Sequence, residues 1–200
     1  MKFRILIVLG HPSATSFCAA LAEAYAAAAA QAGAEVRWVR LGEMQFDPVL
    51  RHGFAKEQPL EPDLQEAKEA IAWCEHLVIV TPLWWGASPA LLKGFIDRVF
   101  LPGWAFTYNK GMPVKLLKGR SAQVIVSMDS PSLWYRLFHR SSLESILGRA
   151  TLGFCGFKTR FMRLYNVRSS NPARREAWLS SVDARATRDV RRKRRRRELA

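Results

Sequence analysis

Residues 76–100 read HLVIVTPLWWGASPALLKGFIDRVF, and this stretch contains the two elements that decide the fold class. The run from Leu77 to Val80 is uninterrupted and rich in β-branched residues, which is typical of a strand buried on both faces. After a loop, Ser88-Pro89 opens a segment in which apolar residues recur at helical spacing. A buried strand followed by an amphipathic helix is the repeating unit of a parallel α/β sheet.

The same alternation continues on both sides of this stretch. We predict strands at 5–9, 35–41, 76–81, 122–127 and 158–165. We predict helices at about 17–31, 62–74, 88–100 and 133–150, and a last one from 172 onward. Because crossovers between parallel strands are almost always right-handed, these elements form one parallel sheet with helices on both faces. The predicted fold class is therefore α/β, in one domain over residues 1–190.

Length and composition are those of one globular domain. The chain has 200 residues, of which 49% are hydrophobic and 24% are charged, which excludes disordered and fibrous classes. The cysteines Cys18, Cys74 and Cys155 form no CxxC pair, which argues against a disulfide framework or metal site and suits a reducing compartment. The uncharged stretch 77–92 is too short to span a membrane. We therefore predict a cytoplasmic protein with no integral membrane segment.

The net charge of +14 is unusually high, and more than half of it lies near the end of the chain. Residues 168–200 hold 12 of the 31 basic residues and include the run Arg191–Arg197. Such a run could bind nucleic acid or an anionic membrane through phosphate contacts. No recognition motif accompanies it, and a solvated end is the more common role of such a run. We predict that 191–200 is a basic, disordered tail.

Three loops follow the carboxyl ends of predicted strands, where open parallel sheets bind their ligands. The first of them, residues 10–17, carries His11 and three hydroxyl residues directly before a helix. The free N–H groups and positive dipole at a helix start favour an anion such as phosphate. The loop has one glycine, so it matches neither a dinucleotide fingerprint nor a P-loop. Helix capping by the hydroxyls explains the pattern equally well.

The second loop, residues 81–89, carries the adjacent tryptophans Trp84 and Trp85. Neighbours in an extended segment point to opposite sides, so at most one of the two lies fully in the core. The other is expected to face a cleft or a partner chain, where its ring can stack on an aromatic ligand. Aromatic packing in the core or in a dimer interface is an equally good explanation.

The third loop, residues 127–131, leads into a segment that contains Tyr135 and His139. These two residues are four apart, so they share one face if the segment is helical. Both side chains can donate hydrogen bonds and exchange protons, which suits a role in catalysis. A single histidine is more often structural or solvated, so the catalytic role is the less common alternative on this evidence.

Four segments resemble one known family. They are Ile5–Phe17 with its Gly-His-Pro turn, the stretch 81–100, the triplet Trp104-Ala105-Phe106, and the run LGFCGF at 152–157. In this order they resemble the flavodoxin-like NAD(P)H:quinone oxidoreductases over about residues 1–167. The stretch 81–100 is the most specific of the four.

The resemblance implies a flavodoxin-like three-layer sandwich with a flavin at the carboxyl edge of five strands in the order 2-1-3-4-5. It implies that the flavin phosphate is held by His11, Thr15, Ser16 and Phe17. It implies that the flavin ring lies beside two loops, formed by Pro82, Leu83, Trp84, Trp85, Gly86, Ser127, Met128, Asp129 and Ser130. It also places Tyr135 and His139 over the substrate pocket as the catalytic pair.

Two positions depart from the family pattern. Cys18 stands at a flavin-contacting position where the family usually has Asn, and a thiol is a weaker hydrogen-bond donor. Asp129 stands where some members have paired glycines, and it adds a negative charge near the ring. We also expect the chain to lack the additional C-terminal domain of the long FAD-dependent members. The expected cofactor is therefore FMN, with FAD as the alternative.

The resemblance implies an enzyme, an NAD(P)H dehydrogenase that acts on a quinone or similar electrophile. NAD(P)H and the acceptor would use one slot in turn, which gives a ping-pong mechanism, and the family's sites lie at a homodimer interface. The alternative is a regulatory or electron-carrier flavoprotein, such as an accessory subunit of a potassium-efflux transporter.

Overall fold

A computed structural model describes the backbone of residues 2–198 and the side chains of residues 2–195. The strands are β1 (Phe3–Leu9), β2 (Ala34–Arg40), β3 (His76–Pro82), β4 (Phe106–Asn109), β5 (Met112–Lys115), β6 (Ser121–Ser127) and β7 (Lys158–Leu164). The α-helices are α1 (Phe17–Gln31), α2 (Pro62–Trp73), α3 (Ala90–Val99), α4 (Ser132–Leu137) and α5 (Pro172–Glu198). A 3₁₀ turn covers Leu41–Glu43, and a π-helix covers Glu144–Gly153.

The main sheet has five parallel strands in the order β2-β1-β3-β6-β7, which confirms the predicted order and fold class. Helices α1 and α5 pack on one face of it, and α2, α3 and the π-helix pack on the other. Strand β3 is buried along its whole length because both faces are covered, as its unbroken apolar sequence indicates. No helix within residues 2–198 is long and apolar enough to cross a membrane.

The strand register brings the three candidate loops to one edge. Leu9 at the end of β1 pairs with Val80 of β3, and Pro82 at the end of β3 pairs with Ser127 at the end of β6. The loops that follow these strands therefore start side by side. This edge is called the carboxyl edge below, and the opposite one the amino edge.

Two parts of the fold differ from the sequence prediction. Strands β4 and β5 form an unpredicted hairpin, whose two-residue turn has Lys110 and Gly111 at positive φ, the conformation that favours tight hairpins. The helix predicted at 133–150 is wrong in its middle. Helix α4 ends at Leu137, and the π-helix begins at Glu144. The chain cannot remain helical between them because Arg140 and Ser141 adopt positive φ.

Helix α5 is longer than expected. It continues to Glu198, whereas a disordered tail was predicted for 191–200, and residues 199–200 lie outside the described residues. Arg and Lys are good helix formers, and the run contains neither Gly nor Pro that would stop the helix. Val182, Ala186 and Val190 bury one face of α5 and hold it on the domain, as their spacing predicts.

A buried polar chain joins four elements at the amino edge. Tyr25 of α1 donates to Asp189 of α5 at 3.0 Å, and its hydroxyl lies 3.2 Å from His76 Nε2. His76 Nδ1 lies 2.8 Å from the hydroxyl of Ser121 at the start of β6. Burial, with the Arg160 charge, lowers the pKa of His76 from 6.5 to about 4. The imidazole is therefore neutral in the folded protein at physiological pH.

The low pKa of His76 predicts a loss of stability in acid. Between pH 6.5 and 4, His76 is protonated in the unfolded chain but neutral in the folded chain. The free energy of unfolding therefore falls as the pH falls. The largest slope from this group is about 1.4 kcal/mol per pH unit. Urea midpoints of wild type and His76→Gln across this window measure it. A decline that is equally steep in the variant would contradict the assignment.

Candidate functional site

The first candidate loop is folded into a cradle by its own hydrogen bonds. His11 Nδ1 accepts from the Ser13 N–H at 2.9 Å, and the Ser13 and Thr15 hydroxyls lie 3.0 Å apart. Ser16 caps α1, since its side chain accepts from the Ala19 N–H at 3.2 Å. Capping and anion binding are thus compatible. Ser16 caps the helix, so the exposed hydroxyl of Thr15 is not needed for capping and faces solvent.

Two backbone donors at the start of α1 are unused. The N–H groups of Phe17 and Cys18 have no acceptor among residues 2–198, and they lie in the first turn, where the helix dipole is positive. Such donors beside hydroxyl groups fit a phosphate group. The loop thus has donors that suit an anion, and its assignment to a flavin phosphate stays a prediction.

The side chains of Phe17 and Cys18 point away from this cradle. Cys18 is buried with its Sγ 3.2 Å from Ser127 Oγ, and burial raises the pKa of its thiol to about 11. The Phe17 ring packs on Trp178 of α5, with centroids 6.0 Å apart. The prediction that these two residues contact a flavin is therefore restricted to their backbone, since their side chains belong to the core.

The second candidate loop forms a tight turn that presents its tryptophans. Trp84 and Ala87 exchange backbone hydrogen bonds of 2.9 Å, and Trp85 and Gly86 between them have φ of 50° and 75°. Trp85 is fully exposed, and Trp84 is 44% exposed with its ring 5.5 Å from that of His11. Neither tryptophan is a core residue. The Trp85 and Gly86 N–H groups have no acceptor within residues 2–198.

The other residues of this loop tie it to its neighbours. Pro82 is buried at the end of β3, and the Leu83 N–H donates to the Ser127 carbonyl at 2.8 Å. This bond fixes the second loop against the third. The ring of His11 in turn lies against Trp84, so all three loops form one continuous edge.

The third candidate loop is partly withdrawn from this edge. Met128 is buried, and its N–H and carbonyl bond to the Leu164 carbonyl and the Val167 N–H. These bonds occupy both backbone polar groups of Met128, so any contact with a flavin would be made without them, and the contact itself stays a prediction. Asp129 accepts from the Arg168 N–H at 2.7 Å, which fixes its carboxylate. The N–H groups of Asp129 and Ser130 have no acceptor among the described residues.

Tyr135 and His139 are neighbours, with ring centroids 6.1 Å apart, but they face different surroundings. The buried Tyr135 hydroxyl donates to Glu144, which also pairs with Arg163, and it accepts from the Leu143 N–H at 3.3 Å. Burial, reinforced by Glu144, raises the pKa of Tyr135 well above its ordinary range. The turn at 138–143 brings Glu144 to the Tyr135 hydroxyl, and the predicted contact of Tyr135 with the substrate stays a prediction.

His139 does face the candidate site. Its ring lies against the second loop, and a Cβ at Gly86 would lie 2.9 Å from His139 Nδ1. The side chain is half-buried there, and Ser142 beside it donates to the Gly86 carbonyl. The His139 imidazole thus lies beside Gly86 of the second loop, and its catalytic role stays a prediction.

Two supporting residues carried no recognisable signal. Gly42, in the 3₁₀ turn after β2, packs so tightly on the first loop that an added Cβ would lie 1.9 Å from the Pro12 carbonyl oxygen. Arg98 of α3 is buried and donates to the Asp47 and Pro59 carbonyls and to Glu61. Arg98 lies within the most family-like stretch, but its role is to hold the segment 44–61.

Comparison with known proteins agrees with this geometry. The family described as "Flavodoxin-like fold" matches residues 3–186. An uncharacterised NAD(P)H oxidoreductase of Haemophilus influenzae is 32% identical over 158 residues, which cover 76% of this chain and 78% of that protein. An NAD(P)H:quinone oxidoreductase structure from Methanothermobacter marburgensis is 26% identical with a TM-score of 0.79, and the match covers 94% and 98% of the two chains.

A more distant structure shares the fold alone. It is an FMN-dependent NADH-azoreductase of Bacillus anthracis in complex with FMN, at 20% identity and a TM-score of 0.70, with 95% of this chain and 100% of that chain covered. The family match covers most of the chain, and the Haemophilus protein is similar over most of its length. Together they assign the chain to a family. The chain belongs to the flavodoxin-like family that includes the NAD(P)H oxidoreductases, and it is an oxidoreductase.

Proposed function

We propose that this protein binds FMN at the carboxyl edge and uses NAD(P)H to reduce a quinone or a similar flat electrophile. The observation that carries the proposal is the set of unused backbone donors on all three loops, beside an exposed tryptophan. Bound FMN would supply the redox chemistry by accepting hydride from NAD(P)H and passing it to the acceptor.

The residues of the chain divide into two binding regions. The Phe17 and Cys18 N–H groups and the Thr15 hydroxyl would hold the phosphate, with His11 organising the loop through Ser13. The N–H groups of the second and third loops, at residues 85–86 and 129–130, would face the polar edge of the ring system. Fixed N–H dipoles of this kind stabilise negative charge without reorganisation.

His139 is the side chain that we propose as the proton donor to the reduced acceptor. It lies at the second loop, where a flat acceptor would sit, and an imidazole N–H can donate a proton to a developing oxyanion. We assign to Tyr135 the positioning of this segment, which its hydrogen bond to Glu144 supports. NAD(P)H and the acceptor would occupy this slot in turn, so initial-rate plots should give parallel lines. Intersecting lines would exclude the shared slot.

The decisive experiment is the visible spectrum of the purified protein after incubation with FMN, followed anaerobically upon addition of NADH or NADPH. A flavin spectrum that bleaches and then recovers with a quinone supports the reductase. A flavin that stays oxidised with both donors supports the carrier or regulatory alternative. A protein that retains neither FMN nor FAD would overturn the proposal. The Glu43→Ala variant, altered beside the candidate loops at an exposed position, should behave as wild type.

We further propose a homodimer that uses the exposed apolar face of α4. Trp134 and Phe138 stack with centroids 3.8 Å apart, and Leu133 and Leu137 beside them are more than half exposed. A contiguous apolar surface of this kind is typical of a protein interface. The three cysteines are free and buried, which suits the reducing cytoplasm in which we place the protein.

The dimer proposal predicts a change of mass upon substitution. Leu137→Ser combined with Phe138→Ser should convert the dimer to a monomer at micromolar concentration, since both substitutions remove exposed apolar surface and leave the core intact. Sedimentation velocity measures this, and Arg136→Ser on the same helix is the control. A wild-type protein that sediments as a monomer would contradict the proposal.

A further inference from the structure

Helix α5 has a second face that the fold does not use. Its buried face, with Val182, Ala186 and Val190, is held on the domain by these side chains and by the Tyr25–Asp189 hydrogen bond. This anchoring fixes the direction of α5 and brings its last turns to the amino edge of the sheet, where Lys193 lies 3.2 Å from Glu75.

The opposite face of α5 is a stripe of four exposed arginines. Their positions follow the i, i+3, i+4, i+7 spacing that places residues on one side of a helix; they are Arg188, Arg191, Arg192 and Arg195. The stripe extends over about 10 Å of helix axis. None of the four forms an ion pair with a carboxylate among the side chains of residues 2–195.

The amino edge beside this stripe is also basic. A cavity of about 140 Å³ opens there, with Lys158, Arg160, Arg192 and Lys193 around it and the buried His76 together with Asp189 in its wall. Its volume equals that of about four or five waters, so it has room for one phosphate group. The carboxylates of this region already have partners within the protein. Asp189 accepts a hydrogen bond from Tyr25, and Glu75 forms ion pairs with Arg4 and Lys193.

We propose that the arginine stripe and the basic amino edge bind the phosphate backbone of double-stranded nucleic acid, without reading its sequence. Arginine forms bidentate hydrogen bonds with phosphate, and the stripe contains only arginine. A membrane is a poorer partner. Helices that bind bilayers insert an apolar face, whereas the apolar face of α5 is buried and none of its described side chains is an exposed large hydrophobic one.

The location of this surface leaves the candidate active site free. The two edges of the sheet are separated by strands of seven residues, or about 23 Å. Bound nucleic acid would therefore not cover the loops at the carboxyl edge. The proposal does not depend on the proposed reductase function, and each of the two can fail without the other.

The test is the salt dependence of binding to a labelled duplex of about 20 base pairs, measured by fluorescence anisotropy on the full chain. Each phosphate contact contributes about 0.9 to the slope of log K against log salt. Replacing all four arginines of the stripe by Gln should lower that slope by about 3 to 4. The matched control replaces four exposed cations elsewhere by Gln, namely Arg51, Lys56, Lys110 and Arg149.

The outcomes are distinct. A slope lowered by the stripe variant and kept by the control supports the proposal. Equal losses in both variants would mean that net charge alone drives binding, and would overturn it. Binding to phosphatidylserine vesicles without binding to the duplex would overturn it in favour of a membrane surface. Circular dichroism of both variants verifies that α5 remains folded.

Discussion

Gly42→Ala is expected to weaken FMN binding by about 10- to 100-fold while leaving most of the fold intact. The Cβ of the new alanine would lie 1.9 Å from the Pro12 carbonyl oxygen and 2.6 Å from its carbon, and both are backbone atoms that no side-chain rotation can relieve. Either the first loop or the 3₁₀ turn must move by more than 1 Å. A displacement of about 1 Å at a binding site can cost about 100-fold in function.

We expect the first loop to move and the 3₁₀ turn to stay in place. The 3₁₀ turn is fixed by the buried Leu41, whereas Pro12 to Thr15 are exposed and held mainly by hydrogen bonds within the loop. Overpacking of this kind lowers stability by about 1–3 kcal/mol, so the variant should remain folded.

Fluorescence titration with FMN and with riboflavin distinguishes a loss of phosphate binding from a general loss of flavin binding. Because riboflavin lacks the phosphate, its affinity should change much less in Gly42→Ala than that of FMN. The neighbouring Glu43→Ala removes only an exposed side chain 4.0 Å from Arg40 and should leave both affinities unchanged. Unchanged FMN affinity in Gly42→Ala would show that the first loop is not the phosphate site.

The sheet was predictable because its signals are local. Strands β1, β3 and β6 each contain an uninterrupted apolar run and β2 alternates, and parallel pairing then follows from the intervening helices. The position of the site follows from the same logic, since loops after adjacent parallel strands must meet at one edge. The register of Leu9 with Val80 and of Pro82 with Ser127 bears this out.

The parts that were missed depend on contacts between distant residues. The Tyr135 hydroxyl faces Glu144 only because Arg140 and Ser141 adopt positive φ, and neither is a glycine that would have signalled a turn. The clash that fixes Gly42 involves Pro12, thirty positions away. Spacing within a helix or strand carries no information about such pairs. The orientation of Cys18 and Phe17 likewise depends on β6 and α5.

Arg98→Met is expected to lower the free energy of unfolding by about 3 kcal/mol, since breaking a buried ion pair costs about 3–5 kcal/mol. The Arg98 side chain is 0% exposed, and its hydrogen bonds of 2.5–3.2 Å reach Glu61 and the carbonyls of Asp47 and Pro59. Methionine fills the apolar part of the space but leaves these acceptors unpaired. Glu61 is partly exposed and can be rehydrated, so the lower end of the range applies.

The matched control is Lys93→Met on the same helix, whose ion pair with Asp97 is exposed to solvent. Exposed pairs contribute about 0–1 kcal/mol, so this variant should remain close to wild type in urea unfolding. Equal losses in the two variants would mean that Arg98 contributes only general helix stability.

The pH dependence of the Arg98 effect tests its cause. Burial alone would raise the pKa of Glu61, but hydrogen bonds from Arg98 and from the Asp47 N–H outweigh it and hold the pKa below its ordinary value of 4.5. A carboxylate with a lowered pKa stabilises the fold above that value, and its contribution is lost as the pH falls through the pKa of the folded state. The difference between wild type and Arg98→Met should therefore be largest near neutral pH and shrink below about pH 4.5. A difference that stays constant from pH 7 to pH 3.5 would assign the effect to the carbonyls of Asp47 and Pro59, and not to the ion pair with Glu61.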